Sequence, residues 1–203
     1  MSDVIKSMAL ILILLNPFLV IVYLVDMVEK LPRKRFIRVM IRAAVIASIV
    51  FFCFAILGDF IFSDMVQAEF GSFQIFGGVV FLIIGLQFVF QGPKAITMLR
   101  GESQFLAGAI AMPVMIGPGT ISASVIIGKR HDPLLACMII LGAVLTFMVI
   151  TIALKELHDY VRPRNEPLIQ RYIEITGRVV ALFVGTVAVE MIMQGIRAWS
   201  GKF

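Results

Sequence analysis

Long tracts of this chain carry no charge: residues 8–25, 75–91 and 133–154 contain no Asp, Glu, Lys or Arg. An uncharged apolar run of about 18 residues or more reads as a membrane helix, because about 20 helical residues span the ~30 Å hydrocarbon core of a bilayer. Composition agrees: 60% of the 203 residues are hydrophobic and 15% charged, whereas a soluble domain carries about 45–50% apolar and about 25% charged residues. The mean hydropathy is +1.01. These tracts define an integral membrane protein and argue against a soluble helical core.

Six candidate spans follow, at about 8–25, 43–62, 75–91, 105–128, 133–154 and 179–196. Residues 1–25 are read as the first span rather than a signal peptide, because no small-x-small cleavage site follows the apolar run. With six spans, the N-terminus, the second and fourth loops and the C-terminus share one side. That side carries five basic residues, Lys6, Lys129, Arg130, Arg197 and Lys202, and the other side carries the remaining 13 of the 18. The positive-inside rule makes the richer side cytoplasmic and places both termini outside. Asp59, Asp64 and Glu69 in the second loop, which lacks basic residues, fit that orientation. Arg33, Lys34 and Arg35 read as a topology anchor against anionic lipid rather than a nucleic-acid patch. Cys53 and Cys137 have no metal or redox spacing and read as small core residues, while His131 and His158 read as solvated loop side chains.

The halves resemble one another. Residues 75–85, "IFGGVVFLIIG", laid over 175–185, "ITGRVVALFVG", agree at six of eleven positions, including Gly77/Gly177 and Gly85/Gly185. Pro17 and Pro118 lie at nearly the same offset. Each half, 1–99 and 100–203, holds three spans. An odd number forces the second half into the membrane upside down, a recurrent transporter plan with the site near the midplane.

Two spans are interrupted at related positions. "NP" at Asn16–Pro17 and "GPG" at Gly117–Pro118–Gly119 both read as helix starts inside a span. Asn is a favoured N-cap, and Pro is favoured at the first helical position, where its missing N–H costs nothing. Helices 1 and 4 should therefore be broken, with N–H groups and dipole ends presenting partial positive charge within the membrane. Such an end attracts an anion or carboxylate. Thr120 and Ser124, at i and i+4 on one face of the second half-helix, are the candidate side-chain ligands, and Ser122 is expected to point elsewhere. Each hydroxyl is equally well read as ordinary glue between membrane helices. Glu190 is the carboxylate deepest in a span, with Gln87 as its repeat mate. It reads as a proton or ammonium site, or as a group that snorkels or pairs with Arg197. Gly78 and Gly85, seven apart, should let helices pack closely.

"LLNPF" in span one, "FGSFQIFGG" before span three, "AMPVMIGPGTIS" in span four and "GRVVALFVG…QGI" near the C-terminus resemble the MarC/SnatA family, placed in the LysE exporter superfamily. The resemblance runs over nearly the whole chain. It implies a six-span, all-α protein of the prokaryotic inner membrane, built as two inverted three-helix repeats. One characterised branch carries small neutral amino acids such as glycine and alanine, coupled to protons.

The expectation is a secondary transporter of small zwitterions, with no catalytic residues, no cofactor, no metal and no nucleic-acid partner. Its substrate site would comprise Asn16, Pro17, Gly117, Pro118, Gly119, Thr120 and Ser124, with Glu190 and Gln87 for the ammonium or proton. No P-loop is present, so an ion gradient would drive it. An exporter of another small solute or drug, and a non-transporting scaffold, are the alternatives. An enzyme would need a nucleophile and base or a metal set, and the spans offer no His-x-x-x-His pair or paired aspartates. Substrate identity, direction and oligomeric state stay open.

Overall fold

The computed structural model of the chain describes residues 2–16, 31–65, 69–91, 115–163 and 166–200. Among these residues there is no strand. Six α-helices follow in order: α1 Ser2–Leu15, α2 Arg33–Phe60, α3 Phe70–Gln91, α4 Pro118–Arg130, α5 Pro133–Val161 and α6 Glu166–Ser200. A π-helical turn, Ile61–Met65, continues α2.

Within α2, α3, α5 and α6 lie four segments long and apolar enough to cross a membrane: Arg33–Gly58, Phe70–Gln87, Pro133–Val161 and Glu174–Ser200. The 14 residues of α1 and the 13 of α4 are too few, since each reaches only about 20 Å at 1.5 Å per residue. Any continuation of the first and fourth spans falls at 17–30 and 92–114, outside the described residues. Large apolar side chains face outward along the long helices, including Ile41, Val45 and Ile49 on α2 and Met138, Leu145 and Val149 on α5. Water would penalise that surface, whereas lipid does not.

The helices overrun the apolar tracts that announce them. α2 begins ten residues before the expected start at 43, and α6 begins at Glu166 instead of 179. Arg, Lys, Glu and Gln are good helix formers, so an apolar span propagates through them once it is nucleated. Ion pairs of i,i+4 spacing, Lys155–Asp159 at 2.6 Å and Glu174–Arg178 at 2.8 Å, accompany the extensions.

α2 and α5 share a burial pattern that their letters hide. Apart from Ser48/Met148 and Ala55/Lys155, where only one member is buried, the buried positions are Phe36, Val39, Met40, Ala43, Ala44, Ala47, Phe51 and Gly58 on α2 and Ala136, Ile139, Ile140, Ala143, Val144, Phe147, Thr151 and His158 on α5. Each is matched 100 positions on, yet only the alanines at 43 and 143 are identical. The two helices run antiparallel, since Arg33 at the start of α2 pairs with Glu156 near the end of α5, 2.5 Å away. Lys155 lies over the Phe36 ring at 5.9 Å.

α3 and α6 are antiparallel as well, and they form the most extensive helix pair. Gly71 faces Gly195, Gly78 faces Ala188 and Ile192, and Gly85 faces Gly185. The close packing expected of Gly78 and Gly85 is therefore present.

Cross-helix contacts sort the chain ends into two groups. Ser7 hydrogen-bonds His131 at 3.0 Å, Lys129 lies over the Phe70 ring at 5.8 Å, and Gln74 donates to Gln194 at 3.3 Å. Arg33, Phe36, Lys155 and Glu156 gather at the other end.

Several side chains correct their sequence-based placement. His131 is half-buried against Ser7, and His158 is only 6% exposed, so neither is simply solvated. The helical extension of α5 carries His158 onto an inward face beside Asp159, with Nδ1 3.4 Å from the carboxylate. Cys53 is exposed on α2 and Cys137 half-buried on α5, outside the core assigned to them. A thiol is apolar enough to face lipid.

Candidate functional site

The break at residue 117 exists, and its local chemistry explains it. Gly117 is extended, with φ −120° and ψ 168°, and Pro118 occupies the first helical position of α4. The first turn closes when the Ile121 N–H donates to the Gly117 carbonyl at 3.0 Å. The Gly117 N–H donates to Thr120 Oγ1 at 2.9 Å, the reciprocal half of a capping box with threonine in the third position. The Thr120 hydroxyl in turn lies 2.9 Å from the carbonyl oxygens of both Met115 and Gly117. Its proton and one lone pair thus serve the helix start. Ser124 is fully buried and donates to the Thr120 carbonyl at 2.8 Å.

α3, α6 and α1 enclose this start. A β-carbon at Gly77 of α3 would overlap Pro118, so the glycine provides the notch in which the proline sits. The Phe81 ring covers Gly117 and Gly119, with 3.0 Å from its Cε2 to a β-carbon built on Gly119. Leu14 Cδ2 would stand 3.4 Å from that same atom and Met191 Sδ 3.6 Å. The last turn of α1 therefore packs on the first turn of α4.

The first interruption differs from its expected form. α1 stops at Leu15, and Asn16 turns left-handed with φ 42°. Its N–H donates to the Leu12 carbonyl at 3.1 Å. Asparagine tolerates this conformation and so closes a helix; an N-cap would sit in the extended region. Pro17 lies outside the described residues. Asn16 itself lines an apolar pocket of about 470 Å³ with Ile13, Ile150, Thr176, Val180 and Phe183.

A cleft of about 660 Å³ runs between α1, α4 and α6. Leu10, Ile13 and Leu14 line it from α1, Gly119, Ser122, Ala123 and Ile126 from α4, and Thr186, Val187, Glu190, Met191 and Gln194 from α6. Lys6 and Arg130 also line it, eight residues from Leu14 and eleven from Gly119 respectively, which places them toward its far end. The volume falls within the range of about 300–1,000 Å³ typical of small-molecule sites. Glu190 is exposed to the cleft and accepts a hydrogen bond from Gln194 Nε2 at 2.9 Å. Of the sequence candidates, Gly119 and Glu190 line this cleft, Thr120 caps the helix beside it, and Gln87 lines neither it nor the smaller pocket between α3 and α6.

Ser122 does not point away from the cleft, as its spacing from Thr120 and Ser124 suggests. The structure places it on the cleft, 5% exposed, with no hydrogen-bond partner for its oxygen. The readable signal was the stripe Gly119–Ser122–Ala123–Ile126–Arg130, whose small residues at one end leave room for a cavity. Among the described residues no group of three His, Cys, Asp or Glu side chains could hold a metal ion.

Apolar helices with lipid-suited outer faces, a mid-chain helix start and a largely apolar cleft that holds a few polar groups define a polytopic helical membrane protein. Residues 1–200 match the MarC family of integral membrane proteins, and the chain belongs to that family. It is 26% identical to the UPF0056 membrane protein PH0214 of Pyrococcus horikoshii, over 96% of this chain and 94% of that one. It is 26% identical to the UPF0056 membrane protein MJ1677 of Methanocaldococcus jannaschii, over 91% of each. The UPF0056 inner membrane protein YhgN of Escherichia coli K12 is 22% identical over 98% of both chains. No solved structure matches the chain.

Proposed function

We propose that this protein is a secondary transporter of small neutral amino acids, built as two inverted three-helix repeats in a prokaryotic inner membrane. The observation that carries the reading is the meeting of Leu14 and Gly119. It brings the carbonyl end of one short helix to the N–H end of another within the apolar body. A helix C-terminus carries about half a negative charge and an N-terminus about half a positive one. A zwitterion offers the complementary pair: its carboxylate suits the α4 start, and its ammonium suits the α1 end or Glu190. This differs from two N-termini facing each other, and it suits an amino acid better than a plain anion.

The repeat reading draws support from the burial pattern of α2 and α5 and from the antiparallel course of both equivalent helix pairs. The relative YhgN is named an inner membrane protein, and the distribution of basic residues favours termini on the outer side. Glu190 is the candidate carrier of the coupling proton. Uptake of labelled alanine into proteoliposomes under an imposed pH gradient tests the reading. Saturable, gradient-driven uptake is expected, and its absence across a panel of neutral amino acids would overturn it.

Lys6 and Arg130 on the cleft favour a second reading, an exporter of small organic anions. Thermal shifts separate the two, because a ligand stabilises only the protein that binds it. A zwitterion site responds to alanine and glycine, and an anion site to propionate.

A further inference from the structure

Among the described residues Ser122 is the hydroxyl whose oxygen is buried without a hydrogen-bond partner. Ser124, Thr146, Thr151 and Thr186 each donate to the carbonyl four residues back, at 2.8 to 3.0 Å. That local bond is how a hydroxyl ordinarily satisfies itself inside a membrane helix. Ser122 makes no such bond, although it is 5% exposed and its oxygen has no partner. A buried, unpaired polar atom is destabilising and uncommon in folded proteins, so each instance calls for a physical reason.

The location supplies one. Ser122 lines the cleft one turn after Gly119, which lines it too. Side chains on a helix lean toward its N-terminus, so the hydroxyl hangs over the level of the Gly119 turn. The N–H groups of Gly119 and Thr120 belong to that first turn and have no intrahelical carbonyl to bond. Phe81, Leu14 and Met191 fill the space a side chain on Gly119 would take, and Gly119 still lines the cleft, so its backbone borders the cavity directly. Across the cleft stands Glu190, held by Gln194.

We propose that the Ser122 hydroxyl, together with the backbone N–H groups that open α4, forms the subsite for the substrate's carboxylate, opposite Glu190. The inference rests on the transport reading and deepens it. It assigns the cleft to small α-amino monocarboxylates, with the carboxylate held by Ser122 at the α4 start and the ammonium directed toward Glu190. Thr120 positions that start through its cap and is not itself the ligand.

Calorimetric titration of the purified full chain with L-alanine, propionate and ethylamine tests this. Alanine should bind, and the other two should bind at least tenfold more weakly. Ser122→Ala should weaken alanine binding about tenfold or more, Ser122→Thr should retain most of it, and Thr146→Ala, off the cleft, should leave it unchanged. Alanine binding to Ser122→Ala at wild-type affinity would overturn the subsite while leaving the transport reading standing. Failure of the wild type to bind any neutral amino acid would remove the transport reading itself, and the subsite with it.

A second variant does not depend on truncating the hydroxyl. In a background lacking Cys53 and Cys137, Ser122→Cys should react with a small anionic thiosulfonate, and alanine should slow that reaction several-fold. Modification at the same rate with and without alanine would also overturn the proposal.

Discussion

Pro118 opens α4 in a notch that Gly77 leaves on α3, where a single methyl group would overlap the proline ring. The start of the broken helix is thus set by a neighbour 41 positions earlier in the chain as well as by its own residues. Gly77→Ala should destabilise the protein by about 1–3 kcal/mol, the usual cost of overpacking, and should depress transport by displacing the α4 start. Gly185→Ala is the control. A β-carbon there meets no atom within 4 Å, so its effect should be neutral or stabilising by up to about 1 kcal/mol through helix propensity. Detergent-resistance melts of the two variants, read beside uptake, check the contrast.

Thr120 tests the cap. Thr120→Val keeps the side-chain shape and removes the oxygen that receives the buried Gly117 N–H. An orphaned buried donor costs about 1–3 kcal/mol, so Thr120→Val should lower stability by that amount. Thr120→Ser retains the oxygen and should lie within about 0.5 kcal/mol of wild type, in the range of minor substitutions. A loss in Thr120→Ser with none in Thr120→Val would mean that the methyl group, and not the hydrogen bond, holds the turn.

Much of this arrangement is legible in the sequence because it depends on local chemistry. Proline at 118 lacks an N–H and glycine at 117 accepts an extended backbone, so a helix start inside an apolar tract is readable there. Four of the six expected spans, the second, third, fifth and sixth, are legible as helices long enough to cross a membrane, but the helix ends are not, since Arg33 and Glu166 start helices that hydropathy places later. Asn16 was ambiguous for a physical reason. Asparagine caps either end of a helix, and the left-handed turn chosen here depends on what surrounds it. Ser122 escapes because the stripe it belongs to tells which residues share a face of α4, whereas packing among α1, α4 and α6 decides what that face meets. The likeness of α2 to α5 escaped as well, for burial repeats where residue identity does not.

The Lys155–Asp159 pair should respond asymmetrically to substitution. The lysine side chain is 3% exposed and the aspartate side chain 45%. Removing the lysine leaves a carboxylate that water or headgroups can solvate, whereas removing the aspartate takes the carboxylate away from a buried ammonium. Breaking a fully buried pair costs about 3–5 kcal/mol; with one partner half-exposed, Asp159→Asn should cost about 1–3 kcal/mol after allowing for solvent screening. Lys155→Met gives up the ammonium above the Phe36 ring but keeps an apolar chain at a buried position, and should cost less. Unfolding of the two variants in mixed micelles gives the order.

The helix ends sort into two sides. Ser7 with His131, Lys129 with Phe70 and Gln74 with Gln194 gather the N-terminus, the α4–α5 connection, the start of α3 and the end of α6 at one end. Arg33 with Glu156 marks the opposite end. The proposed arrangement of three crossings in each half would produce this sorting, and the positive-inside rule would then assign the sides. In a chain without Cys53 and Cys137, single cysteines at Lys129 and Ser200 should react with an impermeant thiol reagent added to intact cells. Cysteines at Arg33 and Glu156 should react only after permeabilisation. The reverse pattern would invert the orientation and leave the inverted repeat standing. Reaction of Lys129→Cys and Glu156→Cys from the same side would end the six-crossing arrangement, because the contacts hold those positions at opposite ends of the helices.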